Sequence, residues 1–464
     1  MNTCSRRTLR SRHRPAIASA IRLNFDFLLR PQRSKLTADC GQYRRGCIYD
    51  ALILPDEFNG LADSTEFATE CIFRVIGAKR PVRRRRLLPA PSYTTLVRAP
   101  HHRSITLPGG RLALNFESGN RLRIAANLIA DATVARDYTQ RPALLDRYGE
   151  DGRTKYRQDI LYDVAALSAA VDAGDVGIFL RYAGWLKTLL VHRGVAAGDI
   201  AESLRCMASV LAGATAGDHL LATSHLQTAL ERFDSMPTDI ESFIGGASEE
   251  HAVARQCLEG LLRLDAAAVR ESLESAMAAG LPVARIYTGI IPPLMREVGR
   301  RWQMNEISVA HEHYCSAAMQ SILGSFHGLV FGAATASGRS ILVACVEGEQ
   351  HELGARTVAD VFALNGWHTS FLGANLPVRE LVSLIIQAPR RPDLIALSAT
   401  MPEQLVRLGS TITAIRDSSD LPIMVGGYLF EGSLGLAAQL EADGCADDAE
   451  AALAIADGLV PPPA

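Results

Sequence analysis

The sequence predicts a mainly helical protein that ends in an α/β domain. Two observations carry this prediction. Between residues 153 and 330, apolar residues recur at i, i+3 and i+4, the spacing of amphipathic helices. From residue 339 onwards, short apolar runs alternate with helical patterns, which is typical of a parallel sheet covered by helices. We therefore expect two sets of helices followed by a doubly wound sheet.

The first part of the chain differs in composition from the rest. Residues 1–110 hold 20 Lys and Arg against eight Asp and Glu, whereas the whole chain has 48 against 50. The segment includes four consecutive arginines at 83–86, many Pro and Gly breaks, and no sustained periodicity up to about residue 120. A basic arm for nucleic acid would be one interpretation, but no recognition-helix pattern accompanies the charge. We interpret residues 1–150 as a basic segment that is disordered or a gene-model artefact.

The rest of the chain has the opposite charge, with 28 Lys and Arg against 42 Asp and Glu after residue 110. This acidic balance argues against direct DNA binding. No apolar run reaches the roughly 18 residues that span a bilayer, and no apolar signal region follows the N-terminus. The nine cysteines are scattered without a CxxC pair, which indicates reduced thiols. We expect a cytoplasmic protein without a membrane segment.

A helical bundle is predicted over residues 151–235. Glycines at 174, 194 and 217 separate its helices, because glycine favours helix ends. We expect this bundle to bind a protein partner or to self-associate. The predicted helices are Tyr156–Ala173, Val176–His192, Ala197–Ala212 and Asp218–Phe233.

A second set of four helices is predicted within residues 249–330. Asp265 and Gly280 separate the first three of them. The helices are expected at Glu249–Leu264, Ala266–Ala279, Val283–Trp302 and Ser308–Phe326.

Residues 338–460 alternate strand and helix patterns. The run Ile341–Val346 is wholly apolar, as expected of a parallel strand buried on both faces. Five strand–helix units predict a Rossmann-like, five-stranded parallel sheet. The strands are expected near Ile341–Val346, His368–Leu372, Leu394–Ser398, Pro422–Val425 and Gly444–Ala446.

The loops at the carboxyl ends of these strands are where such a sheet binds ligands. After strand 1, His351 begins a helix, and its neutral imidazole could ligate a metal. Glu349 could bond the other ring nitrogen and raise the basicity of the ligand. Gly354, one turn later, would let a bulky group approach the backbone.

Two further loops complete the candidate site. Ser398 and Thr400 follow strand 3 and offer hydroxyl groups, and the pair Gly426 and Gly427 after strand 4 leaves room for a flat ring or a phosphate. Each element also has an ordinary interpretation, as a capping histidine, a polar strand end or a turn. Together, at matching positions of one α/β domain, they are far more specific.

These elements resemble the Asp-x-His-x-x-Gly, Ser-x-Leu and Gly-Gly elements of the cobalamin-binding domain. That family includes methionine synthase and the corrinoid proteins. The resemblance implies that His351 is the lower axial ligand of cobalt, and that the displaced dimethylbenzimidazole tail enters a pocket lined by Ser398, Thr400, Gly426 and Gly427. Two residues depart from the pattern, since Glu349 replaces Asp and Thr400 replaces Leu.

The second helical set resembles the four-helix cap that covers the upper face of the corrin in such proteins. Trp302, nine residues and then Glu312-His313 match the Trp-x9-Glu-His pattern of the adenosylcobalamin-dependent photoreceptor regulators. The resemblance implies that Trp302 packs on the adenosyl group and that Glu312 and His313 help to hold it. Gln303 stands where those photoreceptors have a histidine that becomes the upper ligand. His311 and His313 are the nearby histidines that could replace it.

The resemblance covers about residues 249–459 and does not include the DNA-binding domain of those regulators. It favours a cobalamin-binding sensory or regulatory protein that takes adenosylcobalamin in preference to methylcobalamin and responds to light through the Co–C bond. The alternative is a corrinoid methyl carrier that serves a separate methyltransferase. A receiver-like or dinucleotide-binding domain fits less well, because strand 5 lacks a following Lys and strand 1 lacks Gly-x-Gly-x-x-Gly. The sequence shows no arrangement of a nucleophile and a base, so we do not predict catalysis by the chain alone.

Overall fold

The computed structural model describes residues 114, 116–213, 219–332, 337–433 and 435–462. These residues lie in one compact unit. The interpretation of residues 1–113 as a disordered segment or an artefact falls outside them. Within the described parts of the chain, no helix is both long enough and apolar enough to cross a membrane.

The expectation that residues up to 150 lack structure is wrong from residue 116 onwards. Helix α1 spans Phe116–Gln140 and helix α2 spans Ala143–Ala173. Asp172 joins them, because its buried carboxylate accepts hydrogen bonds from the backbone of Gly119 at 3.0 Å and from Arg123 at 2.7 Å. The apolar residues of α1 are not confined to one face, which is why its sequence shows no clear helical period.

The remaining bundle helices agree with the sequence prediction to within two residues at each end. They are α3 at Val176–Val191, α4 at Ala197–Ala212 and α5 at Leu220–Phe233. Their apolar faces meet around Phe179 and Met207, which are fully buried. Lys187 is also buried, and its Nζ donates to the carbonyl groups of Phe233 and Met236 at 2.7 Å, which fixes the end of α5. Helices α1 to α5 are called the bundle below.

The next set of helices, called the cap, contains one break that the sequence did not predict. The expected helix Val283–Trp302 is divided by a π-helical turn at Ile286–Ile290, directly before Pro292 and Pro293. Proline lacks the N–H group that the preceding turn requires, so the helix restarts there. The cap comprises α6 (Glu249–Leu262), α7 (Ala266–Ala278), α8 (Val283–Arg285), α9 (Ile291–Gln303), α10 (Val309–Ser325) and α11 (His327–Phe331).

The five-stranded parallel sheet is confirmed. Its strands lie in the order β2-β1-β3-β4-β5, and all neighbours are parallel. This order reverses direction between β1 and β3, which is the position where open α/β sheets bind ligands. The strands are β1 (Ser340–Cys345), β2 (His368–Phe371), β3 (Leu394–Ser398), β4 (Ile423–Gly426) and β5 (Gly444–Ala446).

Helices cover both faces of this sheet. They are α12 (Glu352–Leu364), α13 (Val378–Gln387), α14 (Leu405–Ser418), α15 (Leu436–Gln439) and α16 (Ala449–Leu459). A short 3-10 turn at Pro402–Gln404 precedes α14. The ends of three strands are level at the carboxyl edge, because Ser398 pairs with Cys345 on one side and with Gly426 on the other. The register therefore brings the three predicted loops together.

Candidate functional site

The site is organised by a buried carboxylate that holds an exposed histidine. Glu349 follows β1 and is fully buried. His351 is the N-cap residue of helix α12, and its side chain is 63% exposed. Oε1 of Glu349 lies 2.6 Å from Nδ1 of His351 and also accepts from the backbone N–H of His351 at 2.7 Å. Since Nδ1 is engaged, the free ring nitrogen is Nε2, which is the nitrogen that a metal would use.

The charges of the two groups support each other. Burial raises the pKa of Glu349, but the hydrogen bond and the charge of His351 outweigh it, so the net pKa lies below the usual value. The bond to Glu349 raises the pKa of His351, and the charges of Glu312 and Glu403 add to this effect. Glu312 belongs to the cap, so the cap carboxylate acts on the histidine of the sheet domain.

The cap also touches the His351 loop directly. Gln320 of α10 donates a hydrogen bond to Glu352, the residue after His351. The other carboxylate oxygen of Glu352 accepts from the backbone of Ala374 at 2.9 Å. Beside this contact, a Cβ atom built on Gly354 would meet no atom within 4 Å, so the surface over the first turn of α12 is open, as the sequence predicted.

The loop after β3 is tied to the loop after β1. The backbone N–H of Thr400 donates to Oε2 of Glu349 at 2.5 Å, so the contact that Thr400 makes here is through its backbone. Ser398 is half-buried at the strand end, and its side chain makes no hydrogen bond within the described residues. It therefore remains available to a ligand.

Gln404 is a site residue that sequence analysis missed. Its Oε1 accepts from the backbone of Thr400 at 2.8 Å and of Met401 at 3.0 Å, and its Nε2 donates to the carbonyl of Gly348 at 3.3 Å. The side chain is buried and locks the β1 and β3 loops together. No local pattern marks it, because each of its partners is a backbone group.

Gly426 ends β4 and Gly427 follows it, and both lie close to neighbouring loops. Gly427 has a φ of 105°, and a Cβ there would lie 2.3 Å from the carbonyl oxygen of Ala399. A Cβ on Gly426 would lie 3.0 Å from the carbonyl oxygen of Ala446. The side-chain direction of each glycine is thus occupied by a neighbouring loop. They allow the loops to pack closely at the site edge.

Trp302 lies in the last turn of helix α9 on the cap. Its indole Nε1 is buried and has no hydrogen-bond partner among the described residues. Such a group normally has a partner, so an unpaired N–H indicates that an acceptor is missing from the site. One turn before it, the buried Glu297 accepts from Arg300 at 2.7 Å and from the backbone of Phe243 at 3.1 Å, which fixes the end of the helix.

The Glu312-His313 pair lies on the next cap helix. Oε2 of Glu312 is 2.5 Å from Nδ1 of His313, and its Oε1 accepts from Ser316 at 2.9 Å. His311 is exposed, and its Nδ1 bonds to Ser308 at 2.8 Å. Within the described ranges, no group of three or more His, Cys, Asp or Glu side chains is arranged to hold a metal ion.

Gln303 contacts the bundle. Its side chain is 6% exposed, and its Nε2 donates to the carbonyl of Trp185 in the bundle at 2.9 Å. This contact gives Gln303 a structural role between cap and bundle.

Three features of these residues fit a cofactor that takes a nitrogen ligand from the protein. His351 offers a free ring nitrogen that is already oriented, and Gly354 leaves the adjoining surface open. Trp302 offers an unpaired indole N–H from the cap. The sheet domain therefore offers a side chain that could ligate a metal, and the cap offers an aromatic residue.

Comparison with known proteins bears on this arrangement. Residues 253–325 and residues 339–456 each match a family model described as a B12 binding domain. The first match contains Trp302, Glu312 and His313, and the second contains His351 and the three loops.

Among curated proteins, the HTH-type transcriptional repressor CarH of Myxococcus xanthus is 29% identical over 161 residues, which cover 34% of this chain and 52% of that protein. The repressor CarA of the same organism is 32% identical over 142 residues, 30% of this chain and 46% of CarA. The chain thus spans about half the length of these repressors. The dimethylamine corrinoid protein of Methanosarcina barkeri is 25% identical over 170 residues, 36% of this chain and 78% of that protein.

Among solved structures, the monomethylamine corrinoid protein of Methanosarcina barkeri aligns with a TM-score of 0.40 and 20% identity, covering 46% of this chain and 100% of that one. The family assignment rests on the sequence matches. These matches support a cobalamin-binding family for residues 253–325 and 339–456.

Proposed function

We propose that this protein binds cobalamin between the cap and the sheet domain, with the dimethylbenzimidazole tail displaced and Nε2 of His351 as the lower axial ligand. The observation that carries this proposal is the 2.6 Å contact between His351 and the buried Glu349. A carboxylate that engages the far nitrogen orients the ring and increases its basicity towards a metal. Ser398 and Thr400 at the adjacent strand end are the hydroxyl groups offered to the displaced tail.

We further propose that the preferred form is adenosylcobalamin. The unpaired, buried N–H of Trp302 supports this, because the adenosyl group carries oxygen and nitrogen acceptors and a methyl group carries none. Glu312 and His313 form a polar pair on the same side of the site. Bound cobalamin supplies a cobalt–carbon bond that green light can break, and we propose that the protein acts as a sensor of that event.

A corrinoid methyl carrier is the second candidate. It is favoured by the similarity to the dimethylamine corrinoid protein, 78% of which is covered. A methyl group would not have to accept a hydrogen bond from the indole N–H of Trp302, and it needs no large pocket above the corrin. A strong preference for adenosylcobalamin over methylcobalamin would therefore count against it.

The test is an absorption titration of the purified chain with adenosylcobalamin in the dark, followed by green light. We expect a base-off, His-on spectrum in the wild type that is lost in His351→Ala and that changes on illumination. His368→Ala is the matched control, because His368 is an exposed histidine on β2. A free-cobalamin spectrum in the wild type contradicts the binding proposal, and a light-insensitive complex contradicts the sensory one.

A further inference from the structure

The bundle contacts the cap through Trp302, the residue that we propose to face the adenosyl group. The ring centroids of Trp185 and Trp302 are 6.3 Å apart, with an angle of 33° between the planes. The guanidinium group of Arg193 lies 5.2 Å from the centroid of the Trp302 ring. An aromatic neighbour and a cation at these distances both attract the indole. Trp302 is therefore held by two side chains of the bundle.

Backbone contacts fix the same junction. Arg193 donates to the carbonyl groups of Trp302 at 3.1 Å and Gln303 at 2.9 Å. In the other direction, Gln303 donates to the carbonyl of Trp185, and Asn305 donates to the carbonyl of His192 at 3.2 Å. The end of α9 and the end of α3 are thus locked to each other.

An aromatic row continues from this junction into the bundle core. Along α3, the centroids of Tyr182 and Trp185 are 6.2 Å apart, and those of Phe179 and Tyr182 are 6.0 Å apart. Phe179 is fully buried in the bundle. A displacement of Trp302 would therefore shift side chains in the packed core of the bundle, because close-packed interiors transmit strain.

The same helix also contacts the sheet domain. Arg181 donates to Ser433 at 3.0 Å and to the carbonyl of Leu429 at 3.3 Å, on the segment that follows β4. Ser433 in turn donates a hydrogen bond at 2.7 Å to Asp175, the N-cap residue of α3. Helix α3 therefore bridges the two parts of the chain between which the cofactor is proposed to lie.

From these contacts we infer that the bundle responds to the upper ligand of cobalamin. Trp185 is a positioning residue that couples this ligand to the bundle through Trp302. This inference rests on the proposed function. The adenosyl group would occupy one side of Trp302, while Trp185 and Arg193 hold the indole from the bundle side. Loss of the adenosyl group frees Trp302 to move, and the bundle loses part of its contact with the cap.

The test is amide hydrogen exchange measured by mass spectrometry on the full chain. It is run without corrin, with adenosylcobalamin in the dark and with aquocobalamin. We expect the segment 182–195 to exchange several-fold more slowly with adenosylcobalamin than with aquocobalamin. In Trp185→Ala this difference disappears, and the preference for adenosylcobalamin over methylcobalamin falls by roughly three- to tenfold, the value of one aromatic pair. The His-on spectrum is retained.

Two variants separate coupling from folding. Trp185→Phe keeps an aromatic ring and is expected to retain most of the exchange difference. Leu220→Ala changes a bundle residue that is 77% exposed and is expected to behave as the wild type. His-on binding with the same exchange in both corrin complexes overturns this inference and leaves the proposed function standing. Absence of corrin binding by the wild type overturns both.

Discussion

Nδ1 of His351 lies 2.6 Å from Oε1 of Glu349, so an exposed imidazole is held by a fully buried carboxylate. Three groups donate to this carboxylate, including the backbone of Thr400 from the neighbouring strand. The carboxylate is thus fixed by the β1 and β3 loops independently of a ligand. A histidine oriented in this way loses less freedom when it binds a metal, which favours binding.

Replacing Glu349 with Gln should weaken cobalamin binding without removing the ligand. Outer hydrogen-bond partners of a metal ligand typically contribute a factor of about 10 to 100 in affinity. We expect a fall of that size in Glu349→Gln, measured by absorption titration. Glu347→Gln is the control on the same loop, since Glu347 is half-buried and pairs with Arg407 at 3.6 Å. Equal affinities for the two variants would contradict this role of Glu349.

The bundle should lose stability as the pH rises, because of Asp163. Burial raises the pKa of Asp163 to about 8, and its Oδ1 accepts from Tyr182 at 2.9 Å. The unfolded value is about 4, so the folded state binds the proton more tightly, and the stabilisation is lost as the pH rises from about 4 through 8. The free energy of unfolding should fall by up to about 1.4 kcal/mol per pH unit from this group.

Urea denaturation at pH 5, 6, 7 and 8 checks this expectation, with Asp163→Asn as the test variant. Asparagine stays neutral and can still accept the hydrogen bond of Tyr182. The variant should therefore show a flatter pH dependence than the wild type. Parallel curves for the two proteins would show that Asp163 is ionised in the folded state.

The buried carboxylate of Glu297 should be important for the stability of the cap. It is 1% exposed and pairs with Arg300, which is 9% exposed, at 2.7 Å. Glu297→Gln removes the buried partner of Arg300 and leaves it the more exposed Glu306 at 3.2 Å, so the variant should cost about 3 kcal/mol. Glu259→Gln, which alters an exposed pair with Arg263, should cost less than about 0.5 kcal/mol. A thermal or urea melt compares them, and similar losses would contradict the prediction.

Gly427 should not tolerate a side chain. Its φ of 105° and the 2.3 Å approach to the carbonyl oxygen of Ala399 both exclude a Cβ. We expect Gly427→Ala to cost about 2 kcal/mol and to weaken cobalamin binding, because the β3 and β4 loops must separate. Gly458→Ala is the control, since a Cβ there meets nothing within 4 Å. A wild-type affinity in Gly427→Ala would mean that this loop contact does not shape the site.

Sequence analysis located the sheet well because its signals are local. The strands at Leu394–Ser398 and Gly444–Ala446 have the predicted bounds, and His351 and Glu349 are paired as expected. Buried parallel strands appear in the sequence as apolar runs. Glu349 and His351 are only two positions apart, so their pairing is also a local signal. The helix at Phe116–Gln140 was missed because Ile124 and Leu128, at 77% and 74% exposure, blur its apolar face.

The contacts between bundle and cap could not be predicted in the same way. Trp185 and Trp302 are 117 positions apart in the sequence, and neither carries a local signal for the other. Gln404 and the bundle contact of Gln303 were missed for a related reason, since each side chain donates to the backbone carbonyl of a distant segment. Such partners depend on how the folded elements dock.

Electron paramagnetic resonance reports directly whether His351 binds cobalt. The protein is loaded with cob(II)alamin after labelling its histidines with ¹⁵N. The account predicts that the triplet superhyperfine splitting from an axial ¹⁴N becomes a doublet in the labelled protein, and that His351→Ala lacks this histidine-derived splitting. A triplet that persists in the ¹⁵N-histidine protein would assign the axial nitrogen to the cofactor's own tail and contradict the account.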